Sequence, residues 1–170
     1  TGTFGSLLLN PDGSYTYTLN NTDADTQALA AGASVTDAFT YRVADAKGLT
    51  DLAQIVITIT GANDAPVITS NGGGTAAAVS VAENTTAVTT VTASDPDAGA
   101  TRTFSLAAGG TDNALFAINA TTGVLTFLAP RNFEAPGDAG ANNVYNVKVQ
   151  VSDGSLVDVQ DIAVTVTNAN

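Results

Sequence analysis

Apolar and polar side chains alternate along most of this chain, and β-branched residues dominate the alternating stretches. Residues 53–60 (AQIVITIT) show the pattern, and residues 161–167 (DIAVTVT) repeat it near the C-terminus. An alternation with a period of two residues predicts β-strands that bury one face. Since a helical period is nowhere sustained beyond two turns, we predict an all-β protein.

The first 64 residues predict two hairpins. The predicted strands are residues 3–9, 14–19, 39–44 and 53–60. Pro11-Asp12-Gly13 supplies the first turn, and residues 23–31 predict a short helical turn that ends at Gly32. Four strands are few for a closed sandwich, and so small a domain is marginally stable. We therefore expect an incomplete sandwich with an open edge that must be covered, paired or blunted.

The remainder of the chain predicts more strands at regular spacing. They are residues 67–69, 76–82, 87–93, 103–107, 115–118, 124–128, 145–152 and 156–167. Short strands separated by turn residues are typical of an antiparallel sandwich. Tyr145 is predicted to be a core or corner tyrosine, while residues 112–113 and 142–143 are predicted to be surface loops.

Both of the strongly alternating runs lead into a polar connector. Residues 60–66 (TGANDAP) follow the first run, and residues 167–170 (TNAN) follow the second. A strand and connector that recur in one chain indicate a modular array. We predict two tandem Greek-key β-sandwiches, residues 1–64 and 65–170, and we expect the chain to be part of a longer protein.

The charge of the chain restricts its partners. The net charge is −11, and all but two of the sixteen acidic residues are Asp. Nucleic acids and anionic membranes require clustered Lys and Arg, so we exclude both as partners. Cations are favoured instead.

Several residue types are missing, and each absence excludes a kind of site. Cys, Met, Trp and His do not occur, which excludes disulfides, thiolate nucleophiles, imidazole bases and typical zinc sites. A carboxylate pair for glycoside hydrolysis would need a cleft usually lined by aromatic residues, which this composition does not favour. We predict that the protein is not an enzyme. No apolar run predicts membrane insertion, and no secretion signal opens the sequence.

Five oxygen-bearing side chains are predicted to converge at one end of the second sandwich. Asn63 and Asp64 lie in the connector, Asp95 and Asp97 in the loop after residues 87–93, and Asp153 in the last hairpin. Four bare carboxylates would repel one another by about 1 kcal/mol or more per close pair. A hard divalent cation reverses that repulsion, and flexible loops with mixed Asp and Asn ligands suit Ca²⁺ better than Mg²⁺. The alternative is that Asp95-Pro96-Asp97 and Asp153-Gly154 are simple turns.

The opposite end of the second sandwich carries both Glu residues of the chain. Glu83 follows one strand, and Asn132 and Glu134 follow another. All three are expected to face residues 168–170. We predict that they bind Ca²⁺ at the next junction.

In the first segment, Asp23 and Asp25 occupy the position after a strand that Asn132 and Glu134 occupy in the second. They are candidate ligands at the junction between the segments, and Asp37 is a weaker one. The alternative for Asp23 and Asp25 is an N-cap. Asp45 is the counterpart of Asp153 in the first segment.

Residues 67–170 resemble a bacterial cadherin-like repeat. The matching motifs are residues 82–84 (AEN), 95–97 (DPD), 115–118 (LFAI), 122–125 (TGVL), 132–134 (NFE) and 151–154 (VSDG). Residues 1–66 resemble the C-terminal part of a VCBS repeat. The matching motifs there are residues 2–7 (GTFGSL), 10–17 (NPDGSYTY), 27–32 (QALAAG) and 60–66 (TGANDAP).

The resemblance implies a module of a large secreted adhesin of the RTX type, located outside the cell or on a bacterial surface and associated with biofilm adhesion. Ca²⁺ at the junctions would stiffen the array, and the partners would be neighbouring repeats of the same or another chain and a cell-surface or matrix ligand. Asn132 stands where such repeats usually have Asp, and Ala100-Thr101 where an Asn ligand is expected, so we expect fewer ions per junction. Two alternatives remain: a calcium-dependent carbohydrate- or peptide-binding module, and a filament subunit assembled by strand addition.

Overall fold

The computed structural model describes residues 1–169 and divides the chain into two compact units. Unit 1 comprises Thr1–Asp64 with Pro96–Gly99, and unit 2 comprises Ala65–Asp95 with the residues from Ala100 onward. Apart from one α-helix and one 3₁₀ helix, every regular element in the described residues is a β-strand. The all-β prediction is confirmed.

Unit 1 contains two antiparallel hairpins, and each hairpin forms its own two-stranded sheet. Its elements are β1 (Gly5–Leu9), β2 (Tyr15–Leu19), α1 (Ala24–Gln27), β3 (Ser34–Ala44) and β4 (Thr50–Thr60). β3 begins five residues before the predicted start at residue 39. The prediction began too late because Asp37 interrupts the apolar alternation at an inward-facing position.

The two sheets of unit 1 meet through an aromatic contact, but they enclose few residues. The rings of Tyr17 and Phe39 approach edge to face, with 6.1 Å between their centroids. Among residues 1–64, only Asp37 and Ile59 are buried. Unit 1 therefore has a small core. Because buried apolar area is the main stabilising term in a small domain, this core contributes little to the stability of the unit.

In its described residues, unit 2 is a sandwich built from nine strands. They are β5 (Val67–Ile68), β6 (Ala76–Ala82), β7 (Ala87–Thr90), β8 (Ala93–Ser94), β9 (Thr103–Leu106), β10 (Phe116–Ile118), β11 (Val124–Phe127), β12 (Val144–Ser152) and β13 (Val157–Thr167). One sheet has the order β6-β13-β12-β9, with β6 parallel to β13, and another has the order β10-β11-β7. β5 pairs with β8.

The single strand predicted at residues 87–93 is two strands in the structure. β7 pairs with β11, whereas β8 pairs with β5, so the chain changes partners between them. Val91 lies at this corner, is fully buried, and donates its N–H to the Gly123 carbonyl at 2.8 Å. The apolar pattern runs through the corner without a break, and the sequence alone therefore gives no sign of it.

The core of unit 2 lies between its sheets and comes largely from β12 and β13. On β12, Tyr145, Val147, Val149 and Val151 alternate inward and are almost completely buried. Burying one such aliphatic side chain stabilises the fold by about 1.5–3 kcal/mol. The Tyr145 ring packs edge to face against Phe127, with 5.1 Å between centroids. The predicted core position of Tyr145 is confirmed.

Candidate metal-binding loops

Two of the predicted ligands, Glu83 and Glu134, lie at the C-terminal end of β13 in unit 2. The Glu83 side chain accepts backbone N–H groups from Phe133 and Ala169, each at 3.2 Å. Glu134 Oε1 accepts a hydrogen bond from the Asn168 side-chain amide at 3.1 Å. Glu83, Glu134 and residues 168–169 thus share one cluster of polar groups. Asn170 lies outside the described residues.

The backbone on either side of Glu83 fixes its direction. Glu83 donates its own N–H to the Thr167 carbonyl at 2.9 Å, and Asn84 donates to the Arg131 carbonyl at 2.8 Å. Asn84 has a φ of +61°, a left-handed conformation that Asn tolerates better than most residues. The Glu83 side chain is therefore held inward, where it is only 4% exposed.

Asn132 and Glu134 are positioned by their own loop. Asn132 Oδ1 accepts the Glu134 N–H at 2.9 Å, the pattern of an Asx turn. This turn orients residues 132–134 beside Glu83. The loop thereby supplies amide and carboxylate oxygens at the same end of unit 2.

Within unit 1, a second set of predicted ligands comes together. The Asp64 N–H donates to Asp97 Oδ2 at 2.9 Å, and the Asn63 side-chain amide donates to the Asp64 carbonyl at 3.1 Å. Asp97 is buried, and the adjacent Ala98 N–H donates to the Ala28 carbonyl at 3.2 Å. Asn63, Asp64 and Asp97 are therefore neighbours in the folded chain.

Asp95 and Asp153 both belong to unit 2. Asp95 directly follows β8. Asp153 lies between β12 and β13, and its Oδ1 accepts the N–H groups of Ser155 and Leu156 at 2.6 and 2.7 Å. Asp153 thus forms the hairpin turn that we considered as the alternative, and its role as a metal ligand stays a prediction.

Asp45 forms the same kind of turn in unit 1. Its Oδ1 accepts the N–H groups of Lys47 and Leu49 at 2.8 and 2.9 Å. The expected correspondence between Asp45 and Asp153 therefore holds for their local geometry.

Asp23 has the N-cap role that the sequence left open. Its Oδ1 accepts the Asp25 N–H at 3.0 Å at the start of α1, and Asp25 is an exposed residue of the first turn. A carboxylate at this position stabilises the helix by satisfying a terminal N–H group. Metal binding by either residue stays a prediction.

Asp37 is a structural carboxylate of unit 1. It is 2% exposed and accepts hydrogen bonds from Thr3 N–H at 2.8 Å, Phe4 N–H at 3.1 Å and Tyr17 Oη at 2.8 Å. Burial and the bond to Asp37 together raise the pKa of Tyr17 to about 12. Asp37 fastens the N-terminal loop and the first hairpin to β3.

Two other buried acidic residues were not predicted. The expectation of surface loops at residues 112–113 and 142–143 is wrong for Asp112 and Asn143, which are 4% and 8% exposed. Asp112 accepts backbone N–H groups from Ala139 at 2.7 Å and Asn146 at 2.8 Å. Asp138 accepts the N–H of Asn143 at 2.9 Å. The backbone here is irregular and has no neighbouring strand to accept these N–H groups. The carboxylates accept them instead, because a buried N–H group needs a hydrogen-bond acceptor.

The donor set suits a hard cation, although it is not assembled as a carboxylate cage. No group of three acidic side chains within residues 1–169 is arranged to hold a metal ion. The clustered residues instead combine carboxylate, amide and carbonyl oxygens, the mixture that Ca²⁺ accepts in flexible loops. By the chemistry of their donors, these residues fit calcium.

Acid is expected to destabilise both units. Burial acts to raise the pKa of Asp37 and Asp138, but hydrogen bonds to each carboxylate outweigh it and lower the pKa below its ordinary value. Backbone hydrogen bonds, with Ala169 contributing most, lower the pKa of Glu83. A carboxylate whose pKa is lower in the folded state stabilises the fold above its unfolded pKa, and this stability is lost as pH falls.

We therefore expect the Tm to be flat between pH 7 and 5 and to fall steadily below about pH 4. Melts followed by circular dichroism in chelator at each pH measure this directly. In the Asp37→Asn variant, the Tm of unit 1 should fall less as the pH is lowered. A Tm that does not change down to pH 2.5 would contradict the assignment of these carboxylates.

Two family models match the sequence. Residues 1–61 match the bacterial cadherin-like domain, and residues 77–167, more than half of the chain, match the cadherin domain. The resemblance of the second segment to a cadherin-like repeat is confirmed. No match is found among curated proteins.

Solved cadherin structures share the fold. Domains EC1-3 of mouse clustered PcdhgC3 superpose with a TM-score of 0.56 at 20% identity, covering 98% of this chain and 53% of that chain. Domains EC22-24 of mouse cadherin-23 give 0.60 at 18% identity, with 96% and 50% covered. Extracellular cadherin domains 1-5 of protocadherin gamma B2 give 0.61 at 20% identity, with 96% and 31% covered. This chain thus spans about half or less of each of these chains.

The structure also bears on membrane insertion. Neither helix in residues 1–169 has the length and apolar character that crossing a bilayer would require.

Proposed function

Because this chain belongs to the cadherin domain family, we propose that it is a non-catalytic adhesion module whose β-sandwich repeats are stiffened by Ca²⁺. The module would act outside the cell or on a bacterial surface, as part of a secreted adhesin of the RTX type with a VCBS-like first repeat. Its partners would be neighbouring repeats of the same or another chain, and a surface or matrix ligand bound by the array during biofilm adhesion.

The observation that carries this proposal is the cluster at the end of β13. Glu83 and Glu134 both contact the last described residues through Ala169 and Asn168. Two carboxylates placed close together repel each other, and a divalent cation would turn this repulsion into attraction. Glu83, Asn132 and Glu134 would hold the ion, which would couple the end of the strand to the loops beside it.

The other proposed Ca²⁺ ligands are Asn63, Asp64, Asp97, Asp23 and Asp25 in unit 1, and Asp95 and Asp153 in unit 2. The hydrogen bond from Asp64 N–H to Asp97 Oδ2 supports the grouping of the first members. The ion would neutralise their charge in a chain whose net charge is −11.

Calcium is expected to raise the Tm in a saturable way. For an affinity near 10⁻³ M, typical of extracellular modules, 10 mM Ca²⁺ would stabilise the fold by about 1.4 kcal/mol and raise the Tm by roughly 3–6 °C. Differential scanning calorimetry in EDTA and in CaCl₂, with NaCl matched for ionic strength, measures the shift. An unchanged Tm at 10 mM CaCl₂ would refute the proposal.

Two variants locate the effect. Glu134→Gln should reduce the calcium-dependent shift by half or more, because it removes a charged ligand while keeping a similar shape. Asp161→Asn is the matched control, since Asp161 is an exposed carboxylate of the same unit paired with Lys148 at 3.3 Å. If both variants reduce the shift equally, the ion is held by general surface charge and not by the cluster.

A further inference from the structure

The Arg131 side chain packs against two aromatic rings of the unit 2 core. Its guanidinium carbon lies 5.2 Å from the centre of the Phe127 ring and 5.9 Å from the centre of the Tyr145 ring. Both rings are buried, and a guanidinium within about 6 Å of a ring centre is attracted to the negative face of the ring. The Nε atom is itself buried and has no hydrogen-bond partner within residues 1–169. The contacts with the two rings, and not a hydrogen bond of Nε, therefore hold this side chain in place.

The backbone beside Arg131 contacts the turn that carries Glu83. The Arg131 carbonyl accepts the Asn84 N–H at 2.8 Å. Two residues along the chain, the Phe133 N–H donates to Glu83 Oε2 at 3.2 Å. These two bonds join the loop to the Glu83 turn on either side of Asn132, while the Arg131 side chain fixes the same loop to the core. The position of the loop ligands relative to Glu83 therefore depends on Arg131.

We propose that Arg131 is a positioning residue for the calcium ligands at the end of β13. It holds residues 131–134 beside Glu83 in the calcium-free chain, so the ion does not have to order the loop when it binds. Less ordering on binding gives a higher affinity, because lost conformational freedom opposes binding. This inference rests on the proposed calcium binding, but Arg131 itself is not a ligand, since a guanidinium has no acceptor atom.

A role through charge alone would act in the opposite direction. Arg131 is positively charged and is close in sequence to Asn132 and Glu134. Because like charges repel, its charge alone would weaken the binding of Ca²⁺, and removing it would strengthen binding. If Arg131 acts by positioning, removing it weakens binding instead. The sign of the change in affinity therefore distinguishes the two roles.

The test is a Ca²⁺ titration of the full 170-residue chain, followed by NMR through the amide signal of Phe133. Arg131→Met removes the charge and the planar group but keeps a side chain of similar reach. We expect it to raise the Kd for Ca²⁺ about fivefold, the change that corresponds to losing one partly exposed cation–π contact. Arg131→Lys keeps the charge but lacks the planar guanidinium that stacks on the rings, and it should raise the Kd about threefold.

Val149→Ala is the control for a general loss of stability. Val149 is fully buried in β12 and pairs with Gln160, which lies roughly 23 Å along β13 from Thr167. This variant should lower the Tm in EDTA because it leaves a cavity, yet it should leave the Kd within about twofold of the native value. A residue with a merely structural role would behave in the same way.

Hydrogen exchange in EDTA tests the positioning without the ion. In Arg131→Met, the amides of Asn84 and Phe133 should exchange about fivefold faster than in the native chain, because the loop opens locally more often. In Val149→Ala, the same two amides should stay within about twofold of their native rates, since local opening does not require the core to unfold.

Three results would overturn this inference while calcium binding stands. They are an unchanged or lower Kd in Arg131→Met, native affinity in Arg131→Lys, and a Kd in Val149→Ala as high as that in Arg131→Met. If the native chain binds no Ca²⁺, the calcium proposal fails, and the exchange rates in EDTA still decide whether Arg131 positions the loop. Equal rates for Asn84 and Phe133 in the native chain and in Arg131→Met would show that it does not.

Discussion

Gly123→Ala is expected to destabilise unit 2 by about 3 kcal/mol. Gly123 has a φ of +69°, a conformation that costs an L-residue about 1–2 kcal/mol. A Cβ atom at this position would also overlap the Val91 carbonyl oxygen. Since Val91 is buried and its N–H is bonded to the Gly123 carbonyl, this backbone cannot move away without losing contacts, which adds about 1–3 kcal/mol.

Gly74→Ala is the matched control for this prediction. Gly74 has a nearly identical φ of +75°, but no atom lies within 4 Å of a Cβ built there. Its substitution should therefore cost only the backbone term of about 1–2 kcal/mol. Urea unfolding followed by circular dichroism gives both values. Equal destabilisation by the two variants would show that the contact with Val91 has no energetic effect.

The strands were predictable wherever one face is apolar throughout. β6 has the predicted limits because Ala77, Val79 and Val81 alternate with more exposed residues. β12 and β13 lie within one residue of their predicted limits for the same reason. Regular alternation indicates a buried face directly, so such a strand can be predicted without knowledge of the neighbouring strands.

The prediction failed where a polar residue points inward. Asp37 lies on the inner face of β3 and Asp112 lies beneath a loop, and both are buried because backbone N–H groups surround them. A hydropathy pattern identifies a carboxylate as exposed, since burial of an unpaired charge is costly. Only the tertiary structure shows that each charge is compensated by donors that are distant in sequence.

At the end of β13, the sequence predicted which residues lie near one another, whereas metal binding by any of them stays a prediction. The sequence placed Glu83 and Glu134 beside the residues after β13, and the structure brings them into contact with Asn168 and Ala169. From the sequence, Asp23 could be a metal ligand or an N-cap, and the structure shows the N-cap geometry. Local roles depend on short-range hydrogen bonds, whereas metal binding depends on groups from several loops and needs a direct measurement.

Asp112→Asn is expected to destabilise unit 2 by about 2–3 kcal/mol. The two carboxylate oxygens accept separate backbone N–H groups: Oδ1 from Ala139 at 2.7 Å and Oδ2 from Asn146 at 2.8 Å. An Asn side chain has one oxygen and one NH₂ group. In either orientation, the NH₂ group would face a backbone N–H, and a buried donor would lose its acceptor.

Urea unfolding at pH 7 in EDTA measures this loss, with Asp161→Asn as the control. Asp161 is 60% exposed in its side chain and pairs with a single Lys, so its substitution should cost less than about 1 kcal/mol. The same charge is removed in both variants, and only the burial and the number of backbone donors differ. If Asp112→Asn were no more destabilising than Asp161→Asn, the backbone N–H groups around Asp112 would have to be hydrogen-bonded to water. Asp112 would then be a surface residue in solution, as the sequence pattern alone suggests.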